Sequence, residues 1–298
     1  MQTRKDYLLG HLSALSAYLI WGVLPIYWKQ LDHVPAREIL SHRVLWGFVL
    51  LLLFNIFSRR KDYFRLLKDR KTRQRVYITS ALIATNWLIF IFAVVSGHIV
   101  DASLGYFINP LVNILLGILF LRERLRPWQV LAVFFAAAGT LNLTVNYGSL
   151  PWISLTLAFS FGFYGLIRKT VLIESVNGLF IETSLLFPFA VGYLFYLGVK
   201  GAGAFGGLDW HTTTLLFLAG LVTSLPLVWF TSAARRLQFT TIGTVQYISP
   251  SLQFILAVLY YREPFDSATL ITFAFIWIGL AIFIADSFSL QRRNSIRR

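Results

Sequence analysis

The chain has 298 residues, 57% of them hydrophobic and 13% charged, with no cysteine and a formal net charge of +14. A soluble domain carries about 25% charged residues, so this composition, with 27 Phe and 9 Trp, argues against a water-soluble enzyme and against disorder. Disulfides, thiolate metal sites and cysteine nucleophiles are excluded outright, and the +14 bears on nucleic acid only if the basic residues form a reading surface.

A helix needs about 20 mostly apolar residues to cross a bilayer. The first stretch free of Asp, Glu, Lys and Arg is Leu8–Trp28. It is too long for the apolar core of a cleavable signal and reads as a span. Tyr18 and Trp21 lie three apart on one face, with Pro25 one turn on. The second stretch, Val44–Ser58, reaches spanning length only by running back through Arg43 and His42 to about Ile39. Arg43 is the one basic residue inside a span, a costly placement. With His42 beside it, it either meets an anionic substrate group or holds a helix end. The basic run Arg59–Arg75 then reads as a solvated loop against anionic headgroups, since nucleic-acid binding would need stacking aromatics or a reading helix.

The third stretch, Val76–Val100, carries Asn86 and Trp87, and the fourth, Ala102–Leu121, carries Tyr106, Asn109 and Asn113 on one helical face around Pro110. Pro127–Ile167 spans 41 residues, two crossings parted by the turn-forming cluster Asn146-Tyr147-Gly148-Ser149-Leu150-Pro151. Tyr164 lies in the second of these. Thr183–Val199 follows, with Glu182 about one turn into its helix as either a helix-start acid or a proton-linked carboxylate, a role His42 shares. Trp210–Ala234 carries Trp229. Leu237–Tyr261 repeats the polar face of the fourth helix as Gln246, Ser249, Pro250 and Gln253, and Ser267–Ala285 is the tenth predicted helix. Pro25, Pro110 and Pro250 are hinge candidates. The polar faces read as cavity lining, with plain interhelical hydrogen bonding as the alternative. The aromatics Tyr18, Trp21, Trp87, Tyr106, Tyr164 and Trp229 read as pocket walls or lipid-facing bulk.

Ten alternating crossings place 22 of the 27 basic residues on one side and four on the other, with Arg43 inside a span. By the positive-inside rule both termini are cytoplasmic, so the net charge records orientation rather than a nucleic-acid partner.

The sequence also repeats. Tyr106–Leu125 (YFINPLVNILLGILFLRERL) aligns with Gln246–Phe265 (QYISPSLQFILAVLYYREPF) at an offset of 140, and Trp21-Gly22 with Tyr164-Gly165 at 143. Two units, 1–147 and 148–298, each carry five predicted helices. An odd number makes them inverted, a pattern of secondary transporters with a midplane site.

The stretches AYLIWGVLP (17–25), EILSHR (38–43), ASLGYFINPLVNILLGILFL (102–121), QYISPSLQFILAV (246–258) and TFAFIWIGLAIFIAD (272–286) resemble the EamA family of the drug/metabolite transporter superfamily. The resemblance implies an all-α bacterial inner-membrane protein of ten helices in two EamA repeats. The first to fourth and sixth to ninth helices would form the transport core. The solute would be a small metabolite or drug, with chloramphenicol-like and amino-acid-like solutes as candidates. Many EamA sequences carry Gly before the Glu that ends the fourth and ninth helices. Here both positions are Arg, at 122 and 262, which reads as interfacial tuning.

The leading expectation is therefore an exporter working by alternating access, without cofactor or metal, its cavity lined by the first, third, fourth, sixth, eighth and ninth helices. Two alternatives stand beside it: an intramembrane enzyme on a lipid-linked substrate, and a non-transporting scaffold or sensor. Small residues on the fifth (Ala136, Ala137, Ala138, Gly139) and tenth (Gly279, Ala281) helices suggest a homodimer contact. Gly201–Gly206 matches G-x-G-x-x-G, but no strand precedes it, so it is no dinucleotide site.

Overall fold

The structure, a computed structural model, describes residues 4–57, 67–147, 152–207, 209–262 and 267–296. Among these residues every regular element is helical: α1 (Arg4–Lys29), α2 (Ala36–Phe57), α3 (Arg70–Val95), α4 (Ile99–Leu121), α5 (Pro127–Tyr147), α6 (Trp152–Thr170), α7 (Ser175–Lys200), α8 (Trp210–Arg236), α9 (Phe239–Val245), α10 (Ile248–Ile255), a π turn (Leu256–Tyr260) and α11 (Ser267–Ile296).

Eight segments of the described residues are long and apolar enough to cross a membrane: seven helices from α1 to α5 and α7 to α8, and Thr241–Tyr260. Ten were expected. The sixth and tenth stretches do fold as helices, α6 and α11. Within α11 the apolar stretch found among the described residues is Leu270–Gly279, and the last turn of α6 carries Arg168 and Lys169.

Boundaries follow local chemistry. As expected, α2 runs back through Arg43 and His42, as far as Ala36. The third predicted stretch ends early, because Gly97 takes a left-handed φ of 78° and turns the chain, which gives Val100 to α4. The ninth is not one helix. Pro250 has no N–H, and its ring conflicts with the carbonyl four residues back, at Gln246. The chain breaks there, between α9 and α10.

Helices in lipid gain little from burying apolar surface against each other, so packing rests on small residues and hydrogen bonds. At the crossing of α2 and α8, a Cβ on Gly220 would collide with the backbone of Trp46 and Gly47. Across the bundle α1 packs on α8 and α10, while α6 packs on α3 and α4. In the same way α2 packs on α8 and α7 on α3, and the pairs α2–α7, α4–α9 and α5–α11 complete the bundle. The outer faces carry bulky apolar side chains such as Phe57, Phe189 and Phe195, all exposed. Gly139 and Gly279, two of the small residues that suggested a dimer, lie where α5 and α11 pack on each other. A Cβ on Gly279 would lie 2.7 Å from the Ala132 carbonyl, and Thr272 Oγ1 donates to the Gly139 carbonyl at 3.0 Å.

Candidate functional site

A small cavity of about 30 Å³ lies inside the bundle, space for a water or two. Its walls are Tyr18, Trp21 and Leu24 of α1, Arg43 of α2, Asn86, Trp87 and Phe90 of α3, Tyr106 of α4, Phe161 of α6, Gln246 at the helix break, and Ser249, Pro250 and Gln253 of α10. No residue of α8 lines it, and α2 does so through Arg43.

Two of the prolines shape these walls. In α1, Pro25 cannot bond the carbonyl of Trp21, and that carbonyl accepts Gln253 Nε2–H at 3.0 Å. Pro250 breaks the chain at Gln246 and so frees its side chain to turn inward. Pro110 leaves α4 continuous; its carbonyl faces Gly243 of α9 so closely that a Cβ there would lie 2.9 Å away.

The polar faces meet, as a bonded network. Asn113 Nδ2 donates to Gln246 Oε1 at 2.8 Å, Gln246 Nε2 donates to Asn109 Oδ1 at 2.5 Å, and Tyr18 Oη donates weakly to Gln246 Oε1 at 3.4 Å. Asn109 also donates to the Ala158 carbonyl. Asn109 and Asn113 thus sit fully buried behind Gln246 and do not line the cavity. Asn86 does line it, while its amide donates to Leu157 O and Ser160 Oγ, each at 3.1 Å.

Arg43 is the exception among these polar groups. Its side chain is buried, and its Nε and Nη1 have no hydrogen-bond partner. Its guanidinium carbon lies 4.2 Å from the ring centre of Trp87 and 5.4 Å from that of Trp28. An arginine at mid-helix costs about 2.5–3.5 kcal/mol on insertion scales, and a desolvated cation–π contact returns about 2 kcal/mol. His42 points elsewhere. It stacks on Phe205 at 4.7 Å, and its Nε2 lies 4.0 Å from Glu38 Oε1. That carboxylate also accepts the Ala204 N–H at 2.6 Å. The glycine-rich loop that mimicked a dinucleotide motif is therefore a cover over α2.

Glu182 is not in the first turn of its helix. Because α7 starts at Ser175, the residue falls two turns in and is fully buried. It pairs with Arg168 at 3.7 Å, too long for a hydrogen bond, and accepts one from Tyr164 Oη at 3.1 Å. Tyr164 therefore supports Glu182 and does not line the cavity, and Trp229 packs half-buried against the core. Sequence reasoning missed Arg168, counted among the cytoplasmic bases. The signal was Gly178, whose missing side chain makes the space that the guanidinium fills. No cluster of three or more His, Asp or Glu suited to a metal exists among the described residues.

The EamA-like transporter family model matches residues 8–145. The chain is 47% identical over 297 residues to Protein RarD of Escherichia coli (strain K12), covering 99% of this chain and 98% of that one. It is 48% identical over 296 residues to an uncharacterized transporter of Vibrio cholerae, covering 99% and 97%. A solved crystal structure of a protein aligns with a TM-score of 0.63 at 17% identity, over 93% of this chain and 96% of that chain, a likeness of fold. With full-length relatives at this identity, the chain belongs to the EamA-like transporter family, and RarD proteins are among its homologues.

Proposed function

We propose that this protein is a secondary transporter that exports small metabolites or drugs from a bacterial cell. Two inverted five-helix units, 1–147 and 148–298, rock about the cavity and open it to each side of the inner membrane in turn. Both termini are cytoplasmic, and α6 and α11 serve as crossings, which makes ten.

The observation that carries the reading is a cavity walled from both units, within a packing pattern that maps onto itself when the units are exchanged. The contact α1–α8 becomes α6–α3, α1–α10 becomes α6–α4, and α2–α8 becomes α7–α3. Arg122 and Arg262, equivalent at the offset of 140, both take left-handed backbone, with φ of 55° and 52°. They fill the helix-ending position that glycine normally takes, which accounts for the glycine of the family pattern. At about 30 Å³ the cavity is too small for a solute, well short of the 300–1,000 Å³ of an occupied small-molecule site, so loading requires the units to part.

Liposomes holding the purified protein, challenged with a metabolite panel and chloramphenicol under imposed pH and solute gradients, test this. Saturable solute movement is the expected result. A folded protein that moves no member of the panel under any gradient overturns it.

A further inference from the structure

The side-chain amides that line the cavity bond within the protein, and the one charged group that lines it does not. Gln246, Gln253, Asn86 and Tyr18 all have partners within the protein. Arg43 does not: among the described residues no carboxylate pairs with it, and two of its nitrogens lack an acceptor. Trp28, whose ring lies against it, likewise has a buried Nε1–H without an acceptor. A fixed positive charge and unmet donors at an otherwise aromatic wall form a site short of a negatively charged acceptor. The guanidinium fork suits a planar, two-oxygen group. Around it Trp21, Trp87, Phe90 and Phe161 line the cavity with aromatic rings, which suit an apolar body and would leave a bare inorganic ion poorly matched.

We propose that the cavity selects organic monoanions, a carboxylate held by Arg43 and an apolar or aromatic body held by the surrounding rings. This rests on reading the cavity as the transport site. No acidic side chain lines the cavity, so an ammonium group gains no ion pair there, and a simple carboxylate is preferred to a zwitterion.

Equilibrium binding to purified protein in detergent tests this without requiring transport. The probes are phenylacetate and indole-3-acetate, each beside its own amide, phenylacetamide and indole-3-acetamide. Each acid should bind at least tenfold more tightly than its amide, the scale of a charge-assisted bond. Arg43→Gln should abolish that preference, and Arg43→Lys should recover only part of it. The acid–amide comparison on the unaltered protein stands even if a variant misfolds. Equal binding of acid and amide, no binding of either acid, or an acid preference that survives in folded Arg43→Gln overturns the proposal. So does chloride that displaces both acids at matched concentration, since the site would then be an inorganic anion site. If the acids bind but no solute moves in liposomes, the transporter reading fails and this one stands. If only neutral solutes are moved, the reverse holds.

Discussion

The side-chain amide of Gln253 on α10 donates to the main-chain carbonyl of Trp21 on α1 across 3.0 Å. The bond exists because Pro25, four residues past Trp21, has no N–H to offer that carbonyl. Inside a bilayer no water replaces the missing donor. The carbonyl that Pro25 leaves free on α1 and the side-chain amide of Gln253 on α10 thus satisfy each other, next to the cavity.

Gln253→Leu should therefore destabilise the protein by about 1 kcal/mol, the usual size of an interhelical hydrogen bond. The loss should shrink in a Pro25→Ala background, where the substituted residue supplies the backbone N–H itself. A double-mutant cycle by thermal unfolding in detergent reads the coupling. Equal losses in both backgrounds would show that the freed carbonyl is not what Gln253 answers.

The buried Arg168–Glu182 pair gives a larger effect. Removing one partner of a buried pair strands the other and costs about 3–5 kcal/mol. Glu182→Leu and Arg168→Met should each lose that much, and the double variant should recover a large part of it. Gly178→Ala should act like a third single variant, because the added methyl takes the place of the guanidinium. If Glu182 carries a coupled proton, Glu182→Gln should lose pH-driven accumulation and keep solute exchange between equal concentrations, both measured in liposomes.

Hydropathy and charge made most of this fold legible. The crossing positions follow from apolar length, and α2 was traced through Arg43 because Val44–Ser58 alone is too short. What the sequence did not disclose were contacts between elements. Gln246 looked like one more member of a continuous polar face. Only the break placed by Pro250 turns it toward Asn109 and Asn113, and that makes those two network members rather than cavity walls. Arg168 looked like an interfacial base because linear charge counting cannot see Glu182 on the neighbouring helix. Arg122 and Arg262 stood out as departures from glycine, and the backbone angle that makes glycine the usual choice there is something no side-chain pattern reports.

Away from this bonded interior, α3 and α8 begin on aspartate caps, and the stability of those first turns should depend on pH. Asp209 accepts the His211 N–H at 3.0 Å and the Thr212 N–H at 3.2 Å, and Asp69 accepts the Thr72 N–H at 2.8 Å. The Thr212 hydroxyl and the Thr72 N–H hold the two carboxyls below the ordinary range. A lowered folded pKa means the contribution is complete above the unfolded value, about 4, and fades as pH falls through the folded one. The protection of the amides at residues 211–213 and 72–73, taken relative to their intrinsic exchange rate at each pH, should therefore fall in acid. Asp209→Asn keeps an acceptor of similar capping strength and should leave the first site insensitive to pH.

The left-handed arginines predict a gain. A side chain at such an angle costs about 1–2 kcal/mol that glycine avoids. Arg122 and Arg262 are both exposed, so little else is lost on replacement. Arg122→Gly and Arg262→Gly should each stabilise the folded protein by about 1 kcal/mol, additively, since they cap different helices. A fall in the unfolding temperature for either would mean that the arginine makes contacts worth more than the strain it carries.

Absence of cysteine makes opening of the cavity directly measurable. Ser249→Cys places one thiol in the cavity wall of a chain that has none elsewhere. In the closed state a water-soluble maleimide should label it slowly. The amide network joins α4 to the break after α9, and the proposed parting of the two units along this seam would break the bonds from Gln246 to Asn113 and Asn109. Asn113→Leu removes one of them, worth about 1 kcal/mol. The open population, and with it the labelling rate of Ser249→Cys, should then rise roughly fivefold. A rate unchanged by Asn113→Leu would mean that the network holds α4 and α9 together within one moving body, and that the units separate along another seam.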